Sequence, residues 1–306
     1  MKYLFPLLLS LLSLWMVQPL FGKTDTTRLL THLEALVQPD EPRVYTKPEN
    51  LNRAAHYIAE VMKPYARQVE RQPYEVNGQT YQNVVASFGP ENGPRIIVGA
   101  HYDVCDNLPG ADDNASGVAG MLELGRQLSQ EKLAYRIDLV AYSLEEPPFF
   151  RSEAMGSFQH AHELNERGIE IIGMVCLEML GYFRDEKGSQ AYPVGLMKLF
   201  YGGKGNYISL VRKFGSGKFA RRFNRRFHKT KLIRTKSITA PANLPGIDFS
   251  DHLNYWKFGY SALMITDTAF YRNPNYHERT DTIDTLDLRR MALVVDGVFE
   301  VLKEWK

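Results

Sequence analysis

Two histidines and a set of carboxylates draw attention because each follows a short apolar run. His101 comes directly after Arg95-Ile96-Ile97-Val98-Gly99-Ala100, and Asp103 stands two residues later. A carboxylate so placed can accept the far N–H of an imidazole whose other nitrogen binds a metal. Asp112 and Asp113 lie in Pro109-Gly110-Ala111-Asp112-Asp113-Asn114-Ala115-Ser116-Gly117, at the entrance of a helical pattern. Helix capping accounts for one polar residue there; a carboxylate that gives one oxygen to each of two cations accounts for the adjacent pair. Glu145 and Glu146 end the run Ile137-Asp138-Leu139-Val140-Ala141-Tyr142-Ser143-Leu144. Neighbours in an extended segment point to opposite sides, so one glutamate can be a ligand and the other a base. Pro147 and Pro148 then stiffen the backbone. Glu178 emerges from Val175-Cys176-Leu177, where a lone acid is costly unless paired or metal-bound. His277 closes the loop Asn273-Pro274-Asn275-Tyr276. Imidazole mixed with carboxylate suits zinc better than calcium or magnesium. A set of this size can hold two metals about 3.5–4 Å apart.

These residues need a frame. Apolar runs at 83–88, 95–100, 136–143, 169–176, 207–211 and 262–266 predict strands. Helical spacing covers 26–37, 51–62, 116–130, 153–166, 217–228 and 286–303. Strands apolar on consecutive positions, alternating with helices, predict an α/β fold: a mixed, mostly parallel central sheet with helices on both faces. Ligands in such sheets bind beyond the carboxyl ends of the strands, and the acids and imidazoles fall there. One catalytic domain is expected over residues 23–306.

Composition is that of a globular protein, with 44% hydrophobic and 24% charged residues. A formal net charge of +2 gives no global field toward nucleic acid. Residues 1–22 carry Lys2 and a long apolar run that ends at Gly22, the pattern of a signal peptide. Export to the periplasm or the cell exterior is therefore expected, with membrane attachment only if this segment stays uncleaved. Cys105 and Cys176 either pair or remain as two thiols; spacing decides neither. No acid occurs between Glu186 and Asp248. Within that stretch Phe219, Phe223 and Phe227 predict the inner face of an amphipathic helix, with Arg221, Arg222, Arg225 and Arg226 in water. A basic rim facing acidic peptides or an anionic surface is the sharper alternative.

The motifs G-A-H-Y-D, P-G-A-D-D-N-A-S-G, E-E-P-P-F, L-E-M-L-G-Y, F-S-D-H and N-Y-H, in that order, resemble metallopeptidase family 28. That family comprises zinc aminopeptidases related to glutamate carboxypeptidase and glutaminyl cyclase. The resemblance implies two Zn2+ ions held by His101, Asp113, Glu146, Glu178 and His277, with Asp113 bridging. It implies Glu145 as general base, Asp103 as the partner of His101, and Tyr276 as the group that steadies the oxyanion. Other members use a Tyr three residues before the serine of S-D-H, where this chain has Ile247. His252 is structural by the same resemblance, and Glu178 replaces the Asp of many aminopeptidases. The implied activity is removal of N-terminal residues from peptide substrates. The alternatives are a single-zinc glutaminyl cyclase-like transferase, a carboxypeptidase or dipeptidase, and a binding protein without metals. The paired aspartates and complete ligand set favour hydrolysis.

Overall fold

The computed structural model describes residues 24–38 and 40–306, so the apolar segment 1–22 lies outside the described residues. Eight strands form one sheet: β1 (Gln68–Val76), β2 (Gln79–Phe88), β3 (Arg95–His101), β4 (Arg136–Tyr142), β5 (Ile171–Glu178), β6 (Ile208–Lys213), β7 (Thr235–Ala240) and β8 (Ala262–Thr266). Their spatial order is β1-β2-β4-β3-β5-β8-β6-β7. The central strands β4, β3, β5 and β8 run parallel. β2 joins β4 antiparallel and β6 joins β8 antiparallel. The result is the mixed, mostly parallel sheet that the sequence predicts.

The helices are α1 (Thr26–Leu36), α2 (Pro48–Met62), α3 (Gly117–Leu128), α4 (Gly156–Glu166), α5 (Met197–Tyr201), α6 (Gly217–Thr230), α7 (His252–Lys257) and α8 (Leu288–Lys303). Side chains alternate across the sheet and so divide the core in two. Ile96, Val98, Val175, Leu177, Leu263 and Ile265 pack with α1, α2, α3, α6 and α8. Ile97, Met174, Cys176, Ala262 and Met264 face the other way, against α4, α5 and α7. A strand buried on both faces must be apolar at consecutive positions, which is how the central strands were legible.

β1 and β7 escape the sequence reading because they are edge strands. Gln68-Val69-Glu70-Arg71-Gln72 offers no apolar run, and the strand alternates between exposed and half-buried residues. α5 and α7 span five and six residues, too short for a periodic signal.

The arginine helix needs a correction. Phe219, Phe223 and Phe227 of α6 are buried as expected. Arg222 and Arg226, however, lie over the Trp305 ring at 4.8 and 5.2 Å, and Arg226 donates to the Glu304 carbonyl at 2.7 Å. Two of the four arginines therefore hold the C-terminus down, while Arg221 and Arg225 face solvent. The cysteines do not pair: both are free, and buried Cys176 lies 3.1 Å from Ser250 Oγ. Among the described residues no helix is long and apolar enough to cross a membrane.

Candidate active site

Because β3, β4, β5 and β8 are parallel, their carboxyl ends reach one edge of the sheet. His101 is the last residue of β3 and Glu178 the last of β5. After β4 the chain turns at Leu144, whose φ is 60°. Beyond this turn Glu145 and Glu146 both line one cleft, as two neighbours with different roles would. Asp103 fixes the turn: its two oxygens accept the backbone N–H groups of Glu145 and Glu146 at 3.2 and 3.0 Å. One of those oxygens also lies 3.5 Å from His101 Nδ1. Asp103 thus holds the glutamate pair and stands beside the imidazole, whose Nδ1 makes no directed hydrogen bond.

Asp113 sits in a distorted turn, Ala111–Ser116, that leads into α3. Asp281 accepts the N–H groups of Asp112 and Asp113, each at 3.0 Å. Asp112 faces away from the cluster, accepting from the Gly181 N–H at 2.9 Å and from Asn273 Nδ2 at 2.8 Å. The adjacent aspartates therefore divide the work between a brace and a site residue. Asn114 ties the same turn to β5, donating to the Leu177 carbonyl at 2.9 Å and accepting from the Met179 N–H at 3.0 Å.

At the centre, the two oxygens of Asp113 face different partners. Oδ1 lies 3.3 Å from His101 Nε2, which is also 3.4 Å from Glu178 Oε2. Oδ2 lies 3.2 Å from His277 Nε2, which is 3.2 Å from Glu146 Oε2. His277 Nε2 nevertheless makes no directed hydrogen bond, and Glu146 Oε1 is buried without a hydrogen-bond partner among the described residues. Nitrogen and oxygen donor atoms converging in this way can serve a divalent cation. The residues present fit one metal position at His101, Asp113 and Glu178 and a second at Asp113, Glu146 and His277. Glu178, longer than the usual Asp, is braced by Ser250 Oγ at 2.5 Å.

Electrostatics point the same way. Burial, opposed by His101 but reinforced by Glu146 and Glu178, holds the Glu145 carboxyl well above its ordinary range. Burial and Asp113 push Glu146 up to about 7. For Asp113 burial acts upward too, but His101 and His277 outweigh it and pull the group down. Burial would lower His277, yet Asp113 and Glu146 raise it to about 10. So many acids in one buried cluster repel each other, and positive charge placed among them relieves that repulsion.

A cavity of about 180 Å³ opens beside the cluster. Phe150, Met197, Val211, Ile238, Ile247 and Phe249 supply an apolar wall, and Tyr276 lines it next to His277. The Tyr276 and His277 rings stack at 3.9 Å between centroids. His252 stays out of the cluster: it is buried, with Nε2 2.8 Å from the Ile247 carbonyl, and burial lowers it to about 4.

Three supporting residues were not assigned from sequence. Ser250 and Asp281 stand inside or just after recognised motifs, so those motifs carried the only available signal. Arg43 gave none. Its guanidinium is 1% exposed and donates to the carbonyls of Leu36, Tyr102 at 2.7 Å and Gly110 at 3.0 Å. It therefore clamps both ends of the loop between His101 and Asp113, and Gly110 meets it with a φ of 58°. Burial lowers Arg43 to about 10, against the pull of Asp103, Asp281 and Asp113. Arg43→Met removes the donor of the Tyr102 carbonyl, at about 1–3 kcal/mol for a buried group, while the Leu36 and Gly110 carbonyls still accept from the Gln38 and Ala115 N–H groups, each at 3.2 Å. A loss of about 1–3 kcal/mol is expected in denaturant unfolding, together with weaker metal binding because the loop is released.

The model of peptidase family M28 matches residues 83–302. The uncharacterized protein YfbL of Escherichia coli K12 is 46% identical over 275 residues, covering 87% of this chain and 84% of that protein. A probable leucine aminopeptidase of Arthroderma otae is 26% identical over 306 residues, covering 93% and 76%. Among solved structures, the glutaminyl cyclase of Bacteroides thetaiotaomicron superposes with a TM-score of 0.68. At 19% identity, covering 94% of this chain and 100% of that one, it is a likeness of fold alone. With 220 consecutive residues matched by one family model and the acids and imidazoles of its motifs gathered at one sheet edge, the chain belongs to peptidase family M28.

Proposed function

We propose that this family member is a zinc-dependent exopeptidase, an aminopeptidase that uses Glu145 as general base. The observation that carries the reading is the division of Asp113, whose two oxygens face His101 and Glu178 on one side and His277 and Glu146 on the other. When bound there, a pair of zinc ions supplies Lewis acidity toward the scissile carbonyl and a nucleophilic water near neutral pH.

The chain's own groups do the rest. Glu145, raised by burial, accepts the proton of the attacking water and later delivers it to the departing amine. Asp103 keeps Glu145 in register through its backbone N–H. Tyr276, on the cavity wall, donates its hydroxyl to the charge that grows on the carbonyl oxygen. The apolar wall receives the side chain of the N-terminal residue and excludes water around it. Among the described residues lining the cavity there are four acids and no Lys or Arg, which suits a substrate's α-ammonium better than an α-carboxylate.

The test is a panel of aminoacyl-anilides, N-blocked peptides, C-terminal substrates and N-terminal glutamine peptides. Cleavage of free N-termini with large apolar first residues is expected. A chelator should abolish that cleavage, and added zinc should restore it. Cyclisation of N-terminal glutamine without hydrolysis would move the reading to a transferase. Metal-free protein that binds peptides without turning them over would make it a binding protein.

A further inference from the structure

Cys105 lies in the loop that Arg43 clamps, where the Val104 N–H donates to the Arg43 carbonyl at 3.0 Å. Its Sγ, a carboxylate oxygen of Glu146 and a ring nitrogen of His277 fall within 4.8 Å of one another. The surroundings do not suit a thiol that merely fills space: Glu146, His277, Asp113 and Asp281 share with Cys105 a small side pocket. Glu146 itself is 5% exposed, and its Oε1 has no hydrogen-bond partner among the described residues. Cys105 is absent from the lining of the substrate cavity, so it reaches this cluster without obstructing substrate.

Donor atoms around one tetrahedral zinc, with Zn–S about 2.3 Å and Zn–N about 2.0–2.1 Å, stand roughly 3–4 Å apart. The donor atoms of Cys105, Glu146 and His277, all within 4.8 Å of one another, come near that range and would draw together on ligation. We propose that Cys105 supplies a thiolate to the metal position formed by Glu146 and His277, which makes it chemically unlike the position of His101 and Glu178. The inference rests on the two-metal reading above. Ligation forms one sulfur–metal bond and releases the thiol proton to solvent; no electrons move. A nitrogen, oxygen and sulfur donor set favours zinc, cobalt and cadmium over magnesium and manganese. It also makes this one position sensitive to thiol oxidation.

Titration of the metal-depleted full chain with Co2+ tests the idea without relying on activity. Visible d–d bands report each cobalt bound, and a thiolate-to-cobalt charge-transfer band in the near ultraviolet reports sulfur ligation. The wild type is expected to develop the charge-transfer band with one of two cobalt equivalents. Cys105→Ala should lose that band, keep the other equivalent, and bind the affected cobalt at least about tenfold more weakly. Cys176→Ala, a change in the other thiol, should retain the band. Two cobalt ions bound without a charge-transfer band, or a band that survives in Cys105→Ala, would overturn the assignment and leave the two-metal reading intact. Absence of cobalt binding by the wild type would overturn both.

Discussion

Glu145→Gln is expected to lower kcat by about 10²–10⁴-fold while metal content stays at the wild-type level. The amide has the same size, so the turn that Asp103 holds through backbone N–H groups is retained. What is lost is a group able to take a proton. Glu145 Oε2 stands 4.0 Å from His101 Nε2, farther than Asp113 and Glu178 stand from the same nitrogen. That difference argues for a base rather than a ligand, although a Glu145 oxygen also comes within 4.8 Å of ligand atoms of His101 and Glu146. The comparison with Glu146→Gln separates the two roles. Glu146→Gln should release one metal equivalent, because its carboxylate is one of the groups facing His277. Metal analysis after dialysis, beside steady-state kinetics, checks both variants. Loss of a metal equivalent from Glu145→Gln would make Glu145 a ligand and leave the general base unassigned. The loss expected for the base corresponds to ~3–5 kcal/mol of transition-state stabilisation, with KM little changed.

The sequence carried the chemistry of this site better than its support. His101, Glu145, Glu146 and Glu178 were legible as candidates because each stands at the end of a buried strand, and Asp113 and His277 because one doubles an acid at a helix entrance and the other closes a loop after a strand. Central strands were legible because burial on both faces demands consecutive apolar residues. The turn that delivers the glutamate pair was not, since it rests on one positive φ at Leu144 that no residue type there requires. Nor was the bracing of Glu178, supplied by a serine 72 positions away. Arg43 reads in sequence as a surface base; only the meeting of three carbonyls from distant segments makes it a buried clamp. Local pattern reports what a segment must bury. It does not report which distant polar group satisfies the backbone that burial leaves behind.

Asp113→Asn is expected to weaken both metal equivalents together, by more than the roughly 10–100-fold that loss of an outer supporting residue costs. The reason is geometric. Asp113 is the only carboxylate with one oxygen turned to each imidazole among the described residues, at 3.3 Å from His101 and 3.2 Å from His277. An amide in its place offers one neutral oxygen and one N–H pair, so at least one position meets a donor where it needs an acceptor. Glu178→Gln and Glu146→Gln should each disturb a single equivalent, because their carboxylates face one imidazole each. Calorimetric zinc titration of the three variants distinguishes a shared ligand from two separate ones. If Asp113→Asn lost only one equivalent, Asp113 would be an ordinary ligand and the two-metal arrangement would rest on some other bridge. The brace at Asp281, which fixes the Asp113 backbone, keeps the comparison clean: the turn is held through the main chain and survives a change of side chain.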